Sequence, residues 1–411
     1  MYVRVSTFLL LLSLCVFTAC GGSNNSSANN GNNPGTSNGG GANPGGSNTG
    51  GNNTGGGSNS GSGVAPATEA QLTIETVAQN LQEPWSLAFA PDGRLFFTEA
   101  PGRLRVVTNG NLQAEPVIDL TANNAGFQGG LTGMDLDRNF ASNGYIYAHY
   151  CTTDNKCHLV RIVASGDSPT TGRLDKVLLD YPVAGFDHTG GRVKVGPDNL
   201  LYLSTGDHRQ NASAQDPASW DGKILRLNLD GTPASNPFPQ NPYVYALGLR
   251  DPQGLAFNAF GTLYATDHGP EANDEVDVIT AGANFGWPTC IGSCNNPSFV
   301  DPAVNLSPNQ PSMPPSGATF YSGSTIPGWN GTLLIAILGL DDNPSARHLH
   351  QIVFDSSGKV ASQQALFVNK FGRLRDVVQG PDGFVYISTS NYKQSNLAAP
   401  DDDRILRVRP K

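Results

Sequence analysis

Beyond about Val64 the apolar and polar residues alternate with a period of two, in short runs broken by Gly, Pro, Asp and Asn. Such runs predict strands joined by tight turns. The clearest is Asp187–Asp207, DHTGGRVKVGPDNLLYLSTGD. A polar loop carries His188, a strand spans Arg192–Val195, a GPDN turn occupies Gly196–Asn199, and a second strand covers Leu200–Ser204. Thr205, Gly206 and Asp207 close the hairpin. An ionisable loop at the mouth of a hairpin makes this stretch both a unit of structure and a candidate site.

The scheme recurs at Leu87–Val107, Met134–Tyr150, Gly254–Gly269, Ala318–Leu338 and Val377–Asn391, each followed by a further strand. Self-similarity at about 45 to 65 residues, built from strands, predicts a β-propeller. The expected fold is all-β: a six-bladed β-propeller of four-stranded antiparallel blades. In that architecture the loops on one face converge on the central channel, so a site is assembled from several blades.

Composition divides the chain. Residues 20–63 are almost wholly Gly, Asn and Ser and cannot bury enough apolar surface to offset the entropy of ordering, which predicts a flexible tether. Residues 64–411 form the expected propeller domain. Residues 1–19 have a short positive start at Arg4 and an apolar core over Phe8–Phe17, the pattern of an export signal. Small residues before Cys20 resemble a bacterial lipoprotein signal, which would make Cys20 the lipidated first residue of an exported, envelope-anchored protein. An ordinary secretory signal is the alternative. A net charge of −9 without a basic patch argues against nucleic acid. In an exported chain the local pairs Cys151/Cys157 and Cys290/Cys294 are expected as disulfides.

The segments PWSLAFAPDGRLFFTE, QGGLTGMDLDRNF, HTGGRVKVGPDNLLYLSTGD, LRDPQGLAF, DHGPEANDEVDVITAGANFGWP and GRLRDVVQGPDGFVYISTS resemble, in order and spacing, the glucose/sorbosone dehydrogenase family. The resemblance runs from about Leu81 to Pro410. It implies a soluble aldose dehydrogenase on a six-bladed propeller, with pyrroloquinoline quinone (PQQ) and calcium as cofactors and an aldose sugar as substrate.

By that resemblance His188 is the general base, a role imidazole suits because it titrates near neutrality. Asp187 beside it either orients the site or is a solvated turn residue. Gln128 matches a polar residue at the rim. PQQ carries three carboxylates, so its pocket needs converging cations, and Arg250, Arg373 and Arg375 are the candidates. Arg373 and Arg375, two apart, would share one face of an extended strand. His268, Gly269 and Pro270 resemble the loop whose backbone carbonyls hold the catalytic calcium. Asp274 and Glu275, with the carbonyl of Phe285, resemble a second, structural calcium site.

Three positions depart from the family pattern. Asp251 stands where an Asn contacts the cofactor, Gly339 where a lysine is expected, and Phe285 where a Tyr is usual. The competing readings are a calcium-dependent lactonase-like hydrolase and a non-catalytic sugar- or protein-binding propeller that has lost PQQ.

Overall fold

The computed structural model describes residues 64–120, 129–167, 169–308, 311–340, 346–392 and 399–411. These residues form the expected six antiparallel blades. The inner strands are Pro84–Phe89, Leu131–Leu136, Gly190–Val195, Pro252–Phe257, Pro315–Phe320 and Leu374–Gln379. In the first blade two short strands, Asn111–Leu112 and Ile118–Asp119, share the outermost position. Helix among the described residues is limited to Phe140–Asn143 and two 3-10 turns.

The turns explain why each run folds back. In the PDG and PDN sequences the third turn residue is left-handed, as at Gly93 (φ 90°) and Asn199 (φ 59°), which Gly and Asn tolerate best. The preceding aspartate accepts the N–H two residues on, as Asp198 does from Leu200 at 3.2 Å and Asp382 from Phe384 at 3.1 Å. The other carboxylate oxygen takes a tyrosine hydroxyl from the second strand, Tyr202 or Tyr386, at 2.8 Å in both blades.

Six apolar clusters fill the gaps between neighbouring blades, the last joining Ala78, Tyr386 and Ile405 of the sixth blade to Leu87 and Phe97 of the first. The ring is closed by Leu72–Ala78, which pairs with Ile405–Pro410 as the outermost strand of the sixth blade. The repeat does not foretell that strand, because its partner lies at the opposite end of the chain.

Every inner strand breaks register with its neighbour near its start. A bulge there re-aims side chains and frees backbone groups. Hydroxyls from the second strands take up the freed groups and reach the next blade: Thr98 bonds the Thr132 carbonyl at 2.6 Å, Ser204 that of Pro252 at 2.6 Å, and Thr266 that of Ser316 at 2.8 Å. Gly133 permits this close approach, since a Cβ there would lie 2.2 Å from the Gly191 carbonyl oxygen. Both expected disulfides, Cys151–Cys157 and Cys290–Cys294, are formed.

Leu72, only 4 % exposed, anchors the closing strand in the apolar cluster between the fifth and sixth blades. Leu72→Ala is expected to cost about 2–4 kcal/mol, read from chemical denaturation. A loss below about 0.5 kcal/mol would mean that the closing strand adds little to stability.

Candidate functional site

The bulged starts of the inner strands place the loops before Gly190, Pro252 and Leu374 at one end of the channel. His188 sits there in a left-handed conformation (φ 53°), and a Cβ at Gly206 would come within 1.8 Å of its carbonyl oxygen. The HTGG and STGD segments therefore pack backbone to backbone. His188 is buried, with Nδ1 2.7 Å from Asp207 Oδ1 and Nε2 3.1 Å from Arg250 Nη2. A guanidinium only donates, so the network assigns Nε2 as the acceptor and puts the ring proton on Nδ1, donated to Asp207. The imidazole thus presents a lone pair from Nε2, as a general base requires.

Asp207 is fully buried and saturated. Its Oδ1 also accepts the Arg209 N–H at 2.9 Å, and its Oδ2 accepts Trp287 Nε1–H at 2.9 Å. The carboxylate on His188 is therefore Asp207. Asp187 points outward, 56 % exposed, towards Arg209 at 3.7 Å.

Around the channel, buried guanidinium groups gather. Arg192 pairs with Asp376 at 3.1 Å and stacks over Trp85 at 4.1 Å. Arg375 donates to Gln253 Oε1 at 2.7 Å and approaches Glu83 at 3.6 Å. Burial holds both guanidiniums below their ordinary pKa, against the pull of Asp376 on Arg192 and Glu83 on Arg375. Among the described residues Arg192 Nη2, Arg250 Nε and Arg375 Nε have no acceptor. Buried donors left open this way suit an anionic ligand rich in oxygen. Arg373 is buried as well but donates to the Gly339 carbonyl at 2.8 Å, so the two arginines of GRLRDV reach different partners across the bulge at Leu374–Asp376. At Gly339 itself, an added Cβ would meet Arg347 Cγ at 2.4 Å, so the stem of an arginine fills the space beside the position where a lysine was expected.

Asp251 is locked into the frame. It accepts from Gly190 N and Gln253 Nε2, both at 3.0 Å, and lies 3.3 Å from His268 Nδ1. Burial would raise its pKa, but the neighbouring His268, His188 and Arg250 side chains outweigh it and hold the carboxyl below the usual range. His268 donates from Nε2 to the Pro315 carbonyl at 2.7 Å, and its own carbonyl accepts from Arg250 Nη1 at 3.2 Å.

One cavity wall joins Gly269, Pro270, Asp267, Glu275 and Phe285. Asp267 stands directly across the strand pair from Glu275, and Asp277 follows on the same face. Burial, with Asp267 adding, pushes Glu275 up to about 8, and burial pushes Asp267 up to about 7 against two backbone N–H bonds. Asp277 is raised well above the carboxylate range by burial, then by Glu275 and Asp267, and neither of its oxygens has a hydrogen-bond donor among the described residues. Asp274, expected beside Glu275, turns the other way. It takes Ser307, Ser312 and Met313 N on one oxygen and Gly269 N on the other. The oxygen-rich, electron-rich face is Asp267, Glu275 and Asp277, and a hard cation there would relieve their repulsion. Gln128 lies outside the described residues.

Motif reading misses Asp207 and Asp277, and also Arg192 and Asp267. Asp207 was within reach, because Gly190 pairs with Thr205 and two steps outward on each strand are His188 and Asp207. Asp277 was too, since alternation in DEVDV puts it with Glu275 and sends Asp274 away.

The family model described as glucose/sorbosone dehydrogenase matches residues 81–398. The chain is 29% identical over 348 residues to an aldose sugar dehydrogenase of Escherichia coli, covering 79% of this chain and 91% of the other. It is 27% identical over 426 residues to quinoprotein glucose dehydrogenase B of Acinetobacter calcoaceticus, covering 80% and 87%. The PQQ-bound aldose sugar dehydrogenase structure from Streptomyces coelicolor superposes with a TM-score of 0.72 at 30% identity, covering 84% of this chain and 100% of that one.

The carboxylate face predicts a pH dependence in chelator. A carboxyl whose folded pKa is raised keeps a proton that the unfolded chain has lost, so stability falls as pH rises from the unfolded value through the folded one. With Asp267 near 7 and Glu275 near 8, the decline runs from about pH 4 to about pH 8. Glu275→Gln and Asp277→Asn are each expected to flatten it in thermal melts. A wild-type slope unchanged in both variants would show that these groups are not desolvated.

Proposed function

The chain belongs to the glucose/sorbosone dehydrogenase family, and from that premise we propose that it oxidises aldose sugars at the C1 hydroxyl to lactones, with PQQ and calcium as cofactors. The observation that carries the reading is His188 Nε2, unprotonated and facing Arg250, beside three buried guanidinium nitrogens without acceptors.

His188 would receive the hydroxyl proton. The sugar hydroxyl takes the place of Arg250 Nη2–H at Nε2, and the proton moves to that nitrogen. Asp207, already bonded to Nδ1–H, stabilises the imidazolium so formed. Bound PQQ would supply the two-electron acceptor for the hydride that leaves C1. Arg192, Arg250 and Arg375, each with a guanidinium nitrogen lacking an acceptor among the described residues, would hold its carboxylates and quinone oxygens. Asp251 is no obstacle, because its charge is spent on Gly190, Gln253 and His268.

Calcium would lie in two places. The carbonyls of Gly269 and Pro270 suit an ion beside the reacting centre. Glu275 and the Phe285 carbonyl, which share one cavity wall with Asp267, would offer oxygen ligands to a structural ion, with the carboxyls drawing together around it. Export and a lipid anchor at Cys20 belong to the same proposal, and residues 1–63 lie outside those described.

With PQQ and calcium added, dye reduction by aldoses is expected and His188→Ala should lower kcat by about 100- to 10,000-fold. Asp207→Asn should be nearly as damaging, and Asp187→Asn close to wild type. A His188→Ala enzyme with wild-type turnover would contradict the assigned base.

A further inference from the structure

We propose that Trp287 is a positioning residue for His188, acting through Asp207; the inference rests on the reading of His188 as the base. The indole is held firmly. Its backbone N–H bonds the Gly248 carbonyl at 2.9 Å, and its carbonyl accepts Gln215 Nε2–H at 2.7 Å. From that anchorage Nε1–H donates to Asp207 Oδ2 at 2.9 Å, while the ring lies 5.4 Å from the Arg250 guanidinium. One side chain therefore touches both groups that flank the imidazole, Asp207 on Nδ1 and Arg250 on Nε2.

The Trp287 bond is the one that orients Asp207. Oδ1 is shared by His188 Nδ1–H and the Arg209 N–H, whereas the indole is the donor on Oδ2 among the described residues. The carboxylate is fully buried, so no bulk water can replace a lost donor. A buried carboxylate oxygen stripped of its donor is costly, and the group turns to regain one. Turning withdraws Oδ1 from His188 and leaves the Arg250 contact alone to favour the Nδ1–H tautomer. Nε2 would then carry the proton in part of the population and could not accept one from the substrate.

A purely structural role is the competing explanation, since Trp287 also lines one cavity with Phe285 and Cys290. Two replacements separate them. Trp287→Phe removes the N–H and part of the ring. Site-specific 3-benzothienylalanine at 287 keeps the bicyclic shape and replaces N–H by sulfur.

The experiment reads the neutral His188 tautomer by 15N NMR of the histidine-labelled chain, with the resonance assigned by its loss in His188→Asn. The wild type is expected as the Nδ1–H form, and Asp207→Asn serves as the control for a lost partner. In both Trp287 replacements a mixture of tautomers is expected, together with a fall in kcat of about tenfold at nearly constant KM. An unchanged tautomer in both overturns the proposal. So does a mixture in the Phe variant alone, because packing and not the N–H would then be responsible. The tautomer is read without cofactor. A wild type inactive as a dehydrogenase would therefore overturn the proposed function, while the NMR spectra would still decide whether Trp287 positions the ring.

Discussion

Closing the ring is the constraint on which the rest depends. Six twisted sheets pack face to face only if their inner strands approach closely at the channel, and that closeness is built from bulges, small residues and hydroxyl bridges. Thr98, Ser204 and Thr266 hand a hydrogen bond from one blade to the carbonyl of the next. The same bulges leave backbone and side-chain donors aimed inward at the starts of the strands. The geometry that closes the propeller thus also gathers its polar groups, and Leu72–Ala78 locks both by tying the first segment of the domain to the last.

Electrostatics divides that gathered set into two regions, one cationic and one of carboxyls that hold their protons. Around the channel Arg192, Arg250 and Arg375 are buried with acceptors missing. Beside it Asp267, Glu275 and Asp277 are buried with protons held tightly or donors missing. An oxyanion-bearing cofactor and a hard cation answer these two deficits in turn. His188 stands where the regions meet, with a carboxylate behind it and a guanidinium in front.

Much of this was legible in the sequence. The repeated hairpin gave the blades and their number, because period-two runs and PDG turns are local signals. The closing strand LTIETVA carries no turn and pairs across the whole chain, so nothing local marks it. His188, Arg250 and Arg375 stood out by residue type and motif, whereas Arg192 reads only as the first residue of a strand. Asp207 and Asp277 were readable only by following strand register, which neighbouring acids such as Asp187 and Asp274 obscure. The Trp287 bond had no sequence signal at all: its target is 80 residues away and depends on how two loops meet.

The central claim is that the buried guanidiniums form the grip on an anionic quinone. Equilibrium titration of the calcium-loaded protein with PQQ, followed by tryptophan fluorescence, tests it most directly. The account predicts saturable one-to-one binding that weakens by roughly tenfold or more in Arg375→Ala, as expected for loss of a charge-assisted contact. A folded, calcium-loaded wild type that leaves PQQ unbound would contradict it.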